Sequence, residues 1–188
     1  MTPPLPDRIP TREECDALMA RYAMLPNIAA HSRQVMRVSL AIADHLQNGV
    51  SVNRDLVVAA ALLHDITKTR SLETHERHDA SGGALLRELG FARTAEIVEQ
   101  HVLLRDVDLD GGLEEREIVC YADKRVRHDA VVTLEERIQD LIARYGDSEE
   151  IRRLIRVNSS QVFALERKIA GFMTVGIEEA IRSQEDAG

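Results

Sequence analysis

The sequence predicts an all-α fold, a single compact bundle of six to eight helices, and three observations support this prediction. Apolar residues recur at spacings of three and four along most of the chain, which is the period of a helix with one buried face. Aromatic residues, which are enriched in strands, make up only 3% of the chain. No Asn-Gly or Asp-Gly pair is flanked on both sides by the alternating apolar residues of a hairpin. The 188 residues suffice for one domain with a full hydrophobic core.

Capping residues and apolar spacing place the individual helices. Thr11 followed by Glu14 is a capping box that opens the first helix, and Pro26 with Asn27 ends it and caps the second. Asn53 is predicted to cap the third helix. The predicted helices cover residues 11–24, 28–46, 53–64, 79–89, 94–103, 113–145 and 148–182. The last two are long enough to contain an interruption.

The helices divide the chain into three expected segments. Residues 1–10 are rich in Pro and are expected to form a flexible N-terminal segment. Residues 11–146 form the expected domain, because Gly146 is a strong terminator of the sixth helix. Residues 147–188 are predicted to be a C-terminal helical extension that either packs on the domain or makes a homodimer contact.

Charge and composition exclude several classes of protein. The formal net charge of -8 would repel nucleic-acid phosphates, so nucleic acid is not an expected partner. No apolar run approaches the roughly 18 residues of a membrane helix, and the N-terminus lacks the pattern of a signal peptide. Cys15 and Cys120 are far apart and form no Cys-x-x-Cys motif. We therefore expect a cytoplasmic protein without disulfides or membrane contact.

The segment 61–70, ALLHDITKTR, leads from three apolar residues directly into His64 and Asp65. Burying such polar groups is costly unless something compensates them, and a bound cation would do so. Imidazole and carboxylate ligands suit ions such as Fe, Mn, Zn, Ni or Co. Adjacent residues project about 100° apart on a helix, so this pair can share an ion only where the helix ends. The β-branched residues Ile66 and Thr67 favour such an end.

Five segments of the chain together resemble the HD-domain metal-dependent phosphohydrolase superfamily. They are HSRQV from His31, LLHDITK around His64 and Asp65, HDASGGALL from His78, EQH ending at His101, and YADKRV around Asp123. The order His, then His-Asp, then Asp is the defining pattern of that family, and the resemblance covers roughly residues 27–146. The chain is most similar to small bacterial stand-alone HD domains of the HDIG type, a branch that includes diadenosine-tetraphosphate hydrolases.

The resemblance implies a complete set of metal ligands. Those of a first ion are His31, His64, Asp65 and Asp123. In branches of the family that bind two ions, residues at the positions of His78 and His101 hold the second, and Asp65 bridges them. The set implies one or two divalent ions of Fe, Mn, Co, Ni or Zn, with Mg left open. The alternative for the two additional histidines is a contact with ligands or substrate around a single ion.

Lys68 matches the lysine of the family, and the resemblance implies that it contacts the substrate phosphate. Lys68 and Asp65 are therefore the expected catalytic residues, and Arg125 is expected to offset further charge on the phosphoryl oxygens. Thr67 departs from the Gly that the family often has, which alters the local turn. His75 lies about one helical turn before the first additional histidine and is an alternative to it.

The activity implied by the resemblance is metal-dependent hydrolysis of a phosphoester or phosphoanhydride by metal-activated water. The expected partner is a small phosphorylated substrate, with nucleotides first. The sequence lacks a Gly-Tyr-Pro segment, which argues against the cyclic-di-GMP phosphodiesterases of this family. Two alternatives remain open: a di-iron oxygenase of the HD type, and a non-catalytic regulatory module that the metal stabilises.

Overall fold

The computed structural model describes residues 8–186, and their side chains as far as 184. These residues form ten α-helices and one short antiparallel hairpin, which confirms the predicted all-α fold. The helices are α1 (Arg12–Arg21), α2 (Pro26–Ala43), α3 (Arg54–Leu63), α4 (Lys68–Thr74), α5 (His78–Glu88), α6 (Ala92–Val98), α7 (Glu115–Lys124), α8 (Leu134–Tyr145), α9 (Glu149–Phe172) and α10 (Ile177–Asp186). The strands are β1 (Val126–Arg127) and β2 (Ala130–Val131). Most of the predicted flexible segment, residues 1–7, lies outside the described residues.

The helix starts follow the capping residues with one exception. The capping box of Thr11 and Glu14 opens α1, and the side chain of Asn53 accepts a hydrogen bond from a backbone N–H of α3. The prediction that Pro26 and Asn27 lie before the second helix is wrong, because Pro26 is the first residue of α2. Proline fits that position well, since its fixed φ is helical and its missing N–H would have no partner there.

The described part of the chain has more helices than the six to eight predicted. The loop expected after Asp65 contains α4, and the helix predicted over 113–145 is interrupted by the β1–β2 hairpin. His128 turns the chain there with a positive φ of 58°, and a new capping box at Thr133 starts α8. The helix predicted over 94–103 is shorter, since α6 ends at Val98. His101 consequently lies in the loop that follows α6.

The hydrophobic core forms around α2, α3 and α7. From Leu56 onward helix α3 is apolar on every side, and all of its residues from Ala59 to Leu63 are buried. It packs against α2, whose Val35, Val38 and Ile42 lie at spacings of three and four and are also buried. Because α3 is held on all sides, the residues that follow its last turn have a fixed position.

The residues after 146 contribute to the same core. Leu165 and Ile169 of α9 and Ile181 of α10 belong to the buried cluster. Helix α10 packs on α2, and α9 packs on α7. In contrast, Leu134 is the one fully buried residue of α8, which packs mainly against α9. The division of the chain into a domain and an extension at residue 146 stays a prediction.

Candidate metal centre

Six side chains that the sequence singled out come together where several helices end. Asp65 and His101 lie in the loops after α3 and α6. The other four are His31 in the second turn of α2, His64 at the C-cap of α3, His78 at the start of α5 and Asp123 near the end of α7. Helix ends allow neighbouring side chains to converge, as the sequence predicted for His64 and Asp65.

One side of the cluster joins two histidines to two carboxylates. The Nε2 atom of His31 lies 3.0 Å from Oδ1 of Asp123. The Nε2 atom of His64 lies 3.5 Å from Oδ2 of Asp65 and 3.7 Å from the same Asp123 oxygen. Potential metal-ligand atoms of His31, His64 and Asp65 lie within 4.8 Å of one another, so these three residues can hold a metal ion.

The other side of the cluster uses the second oxygen of Asp65. The Nε2 atoms of His78 and His101 lie 3.2 Å and 3.6 Å from Oδ1 of Asp65. These two nitrogens are 3.2 Å apart. The three residues form a second group that can hold a metal ion. The carboxylate of Asp65 therefore faces both groups, one oxygen to each.

Backbone carbonyls fix the orientation of three of the histidines. The Nδ1 atom of His31 is 2.8 Å from the carbonyl oxygen of His128, and that of His64 is 2.8 Å from the carbonyl of Ala61. The Nδ1 atom of His101 makes the same kind of contact, at 2.6 Å, with Val98. A carbonyl can only accept, so each Nδ1 carries a hydrogen and each ring turns its Nε2 to the centre.

Burial makes these inward-facing acceptors costly without a cation. His64 is 0% exposed, and its Nε2 has no hydrogen-bond partner among the described residues. The Nε2 atoms of His78 and His101 approach closely although at most one hydrogen can lie between them. A divalent ion accepts imidazole and carboxylate ligands and would satisfy all of these atoms together. The residues present therefore fit a bound metal.

The two carboxylates remain ionised in this environment. Burial would raise the pKa of Asp65, but the neighbouring imidazoles, His64 first, hold it well below its usual value. The pKa of Asp123 is likewise low despite burial, because the Lys124 ammonium lies beside it. Burial lowers the pKa of His101 and keeps that ring neutral. For His64 burial acts in the same direction, but Asp65 and Asp123 outweigh it and raise the pKa.

Two lysines lie at the rim of the centre. The Nζ atom of Lys68 lies 3.4 Å and 3.3 Å from the two ring nitrogens of His78. Lys124 donates to Oδ2 of Asp123 at 2.6 Å and to the carbonyl of His101 at 3.1 Å. Both lysines line a cavity of about 520 Å³ whose floor is the metal centre. Positive charge at this rim favours an anionic ligand.

The prediction that Arg125 offsets charge on the phosphoryl oxygens is wrong. Its guanidinium is 1% exposed and points into the protein. It donates to the carbonyl of Val132, to the hydroxyl of Tyr121 and to the carboxylate of Glu178. Because these partners enclose it, Arg125 holds the β1–β2 hairpin and α10 together and does not reach the cavity.

Sequence reasoning missed two residues that support the centre. The hydroxyl of Thr67 donates to the carbonyl of His78 at 2.9 Å, so the residue that departs from the family pattern anchors the start of α5. The carbonyl of His128 orients His31 from the turn of the hairpin. The alternative ligand His75 is exposed at the end of α4 and belongs to neither group of the described residues.

Fold and site together define an all-α protein with a buried histidine–carboxylate centre. A comparison with protein-family models matches the HD domain over residues 28–156. The match covers more than half of the chain, so the protein belongs to the HD domain family, whose members are mostly metal-dependent phosphohydrolases. No curated protein and no solved structure matches the chain. Within residues 8–186, no helix is both long and apolar enough to cross a membrane.

Proposed function

We propose that the protein is a metal-dependent phosphohydrolase that cleaves a phosphoester or phosphoanhydride of a small phosphorylated compound, nucleotides included. The observation that carries the proposal is the convergence of buried acceptor atoms, above all the unpartnered Nε2 of His64, beneath a cavity with lysines at its rim. The HD domain match supports the same class of chemistry.

We propose that all six convergent side chains are metal ligands. His31, His64 and Asp123 would hold a first ion, and His78 and His101 would hold a second. Asp65 would be a ligand of both, because one of its oxygens faces each group of histidines. Divalent ions of Fe, Mn, Co, Ni or Zn fit this set of ligands, and Mg is a less suitable fit because it prefers oxygen ligands.

The metal, when bound, lowers the pKa of a coordinated water and neutralises phosphoryl oxygens. The side chains of the protein do the rest. The carbonyls of His128, Ala61 and Val98 hold the hydrogen on each Nδ1 and aim each Nε2 at the centre. Lys68, whose ammonium lies at the rim beside His78, binds a phosphoryl oxygen of the substrate. Lys124 keeps Asp123 ionised and therefore able to act as a ligand.

The test combines metal analysis with a substrate screen. The full chain is purified anaerobically, its metal content is measured, and phosphate release is followed for a panel of nucleotides and other phosphoesters with Mn, Fe, Co or Ni added. We expect hydrolysis of at least one compound, and its loss in His64→Ala and Asp65→Ala. His75→Asn is the matched control, because His75 is exposed and Asn tolerates its positive φ of 58°.

Two results would overturn this proposal. One is inactivity across the panel while metal is demonstrably bound. The other is substrate-dependent oxygen uptake without phosphate release, which would identify the di-iron oxygenase instead. Cellular function that survives Asp65→Ala in a folded protein would point to the non-catalytic module.

A further inference from the structure

The cavity continues beyond the metal centre to a wall formed by α8. The wall residues of this helix recur at spacings of three and four, so they share one face. They are Leu134, Arg137, Ile138, Leu141, Arg144 and Tyr145. Of the apolar members only Leu134 is fully buried, and Ile138 and Leu141 remain partly open. The apolar face of α8 is therefore turned to the cavity.

The middle of α9 forms a second wall of the cavity in the same way. Ile155, Asn158, Ser159 and Val162 line the cavity at spacings of three, one and three. Ile155 and Val162 are partly exposed, and Ser159 donates its hydroxyl hydrogen to the carbonyl of Ile155. Two helices thus direct aliphatic side chains into one space, which we call the α8–α9 subsite.

An apolar helix face that borders a cavity is stabilised most when an apolar group fills that cavity. Most of the stability of a helix of this length comes from burial of its apolar face. Burial of apolar surface contributes roughly 25 cal/mol per Å². A volume of about 520 Å³ falls in the range of small-molecule sites and exceeds what a phosphoryl group alone requires.

The charged groups around the subsite suit an anionic head group beside an apolar body. Lys68 and Lys124 lie at the metal end of the cavity. The guanidinium of Arg137 donates through Nη1 to Asp140, whereas its Nε is buried without a hydrogen-bond partner among the described residues. Asp140 also pairs with Arg144, so it offsets part of this positive charge. Two arginines thus share one carboxylate, in a subsite whose other wall residues are mostly aliphatic.

We propose that the α8–α9 subsite binds an apolar alkyl or aryl group of an organic phosphoester whose phosphoryl group lies at the metal centre. The proposal rests on the proposed function and adds the substrate class to it. Leu141 and Val162 contact the apolar group, and Arg137 binds an oxygen near its junction with the phosphoryl group. Small polar phosphates, such as sugar phosphates, leave the aliphatic walls uncovered and bind more weakly.

The chemical class of the molecule in the α8–α9 subsite follows from the continuity of the subsite with the metal centre. Both belong to one cavity, in which Lys68 and Lys124 lie beside the metal centre and aliphatic side chains of α8 and α9 line the subsite. A second copy of the chain would cover the apolar walls but would leave the Lys68 ammonium, which contacts the ring of His78 and no carboxylate among the described residues, without an anionic partner. An amphipathic phosphoester satisfies both ends at once.

Alkylphosphonic acids test the subsite independently of catalysis, because their C–P bond resists hydrolysis. The full chain is loaded with Mn, and the affinities of methyl-, butyl- and hexylphosphonate are measured by titration calorimetry. We expect Kd to fall up to about fourfold per added CH₂, which is the transfer free energy of a methylene expressed as an equilibrium constant. Phenylphosphonate, with six carbons like the hexyl compound, shows which of the two apolar groups the subsite prefers.

Two matched variants locate the effect. Leu141→Gln places a polar side chain in the wall, and we expect it to flatten the dependence on chain length while methylphosphonate binds as in the wild type. Leu154→Gln makes the same change on α9 at a residue that is 56% exposed and does not line the cavity, and it should keep the full dependence. If circular dichroism shows that Leu141→Gln is unfolded, Val162→Gln makes the equivalent test on the wall formed by α9.

Three results would overturn the inference. They are a wild-type affinity that is independent of chain length, a full dependence in folded Leu141→Gln, and a lost dependence in Leu154→Gln. Independence of chain length together with a dimer in sedimentation velocity would identify a second copy as the occupant. The failure of the proposed function looks different, because phosphonates would then bind with the expected dependence while no phosphoester is hydrolysed.

Discussion

The buried pair of Lys168 and Glu117 and the metal centre differ completely in their hydrogen bonding. In one, Lys168 donates to both oxygens of Glu117, at 2.7 Å and 2.8 Å, and to the carbonyl of Asp108 at 2.7 Å. The three ammonium hydrogens thus have three acceptors, and the side chains of Lys168 and Glu117 are only 3% and 2% exposed. In the metal centre, by contrast, imidazole nitrogens and carboxylate oxygens converge with few donors, and Nε2 of His64 has none.

The difference separates a structural charge pair from a ligand site. A buried ion pair whose hydrogen bonds are complete needs nothing further, and it links α7 to α9. A buried set of acceptors without donors is stable only when a cation joins it. Both clusters use residues of α7, and both are buried and charged. What distinguishes them is whether each polar atom has a hydrogen-bond partner.

The largest expected effect is that of removing Asp65. Because its two oxygens face the two groups of histidines, Asp65→Ala should release both ions and reduce kcat/KM by about 10,000-fold or more, roughly 5 kcal/mol. Metal analysis and initial rates check this result. Loss of only one ion would show that Asp65 does not bridge, and Glu117→Gln should retain its metal.

The next effect concerns the other cluster and leaves the metal in place. Lys168→Met leaves the buried Glu117 carboxylate without its ion-pair partner, and we expect the free energy of unfolding to fall by about 3–5 kcal/mol. Urea denaturation measures the change. The double variant with Glu117→Leu should recover much of the stability, since an apolar pair can replace a buried ion pair. Metal loss in the folded single variant would contradict the separation of the clusters.

Removal of the metal should lower stability only where the ligands are intact. At a free metal concentration of 100 times Kd, binding stabilises the folded state by about 2.7 kcal/mol. A chelator should therefore lower the Tm of the wild type and of Lys168→Met alike, and it should leave the Tm of Asp65→Ala unchanged. Equal shifts in all three proteins would mean that the stabilising metal binds elsewhere.

The smallest effect is the pH dependence of metal affinity. The pKa of His64 is raised by Asp65 and Asp123, so a proton competes with the metal as pH falls through that raised value. The carboxylates, with their low pKa values, compete only at much lower pH. Below the pKa of His64 we expect metal Kd to rise about tenfold per pH unit. Affinity that stays constant from pH 8 to pH 5 would contradict this assignment.

Much of the fold and most of the candidate site were readable from the sequence, because they depend on local patterns. The capping box at Thr11 and the apolar face of α2 follow from spacing within a few residues. The sequence also indicated that His64 and Asp65 converge at a helix end, and the structure places them there. Which atoms of the six residues bind metal remains a proposal.

The features that were missed depend on contacts between distant residues. The carbonyl of His128 meets His31 across 97 positions of the chain, and backbone carbonyls leave no signal in a sequence. Arg125 was expected to offset charge on the phosphoryl oxygens, but from the C-cap of α7 its guanidinium donates to the distant carbonyl of Val132 and does not line the cavity. The cavity wall of α8 has the same apolar spacing as a helix face packed in a core.

The most direct test of the account is the metal content of the protein purified anaerobically, measured beside that of His78→Ala and Lys168→Met. The proposed assignments predict two ions per chain in the wild type and in Lys168→Met, and one in His78→Ala. A wild-type protein that hydrolyses phosphoesters at full rate without bound metal, or a His78→Ala variant that keeps both ions, would contradict it.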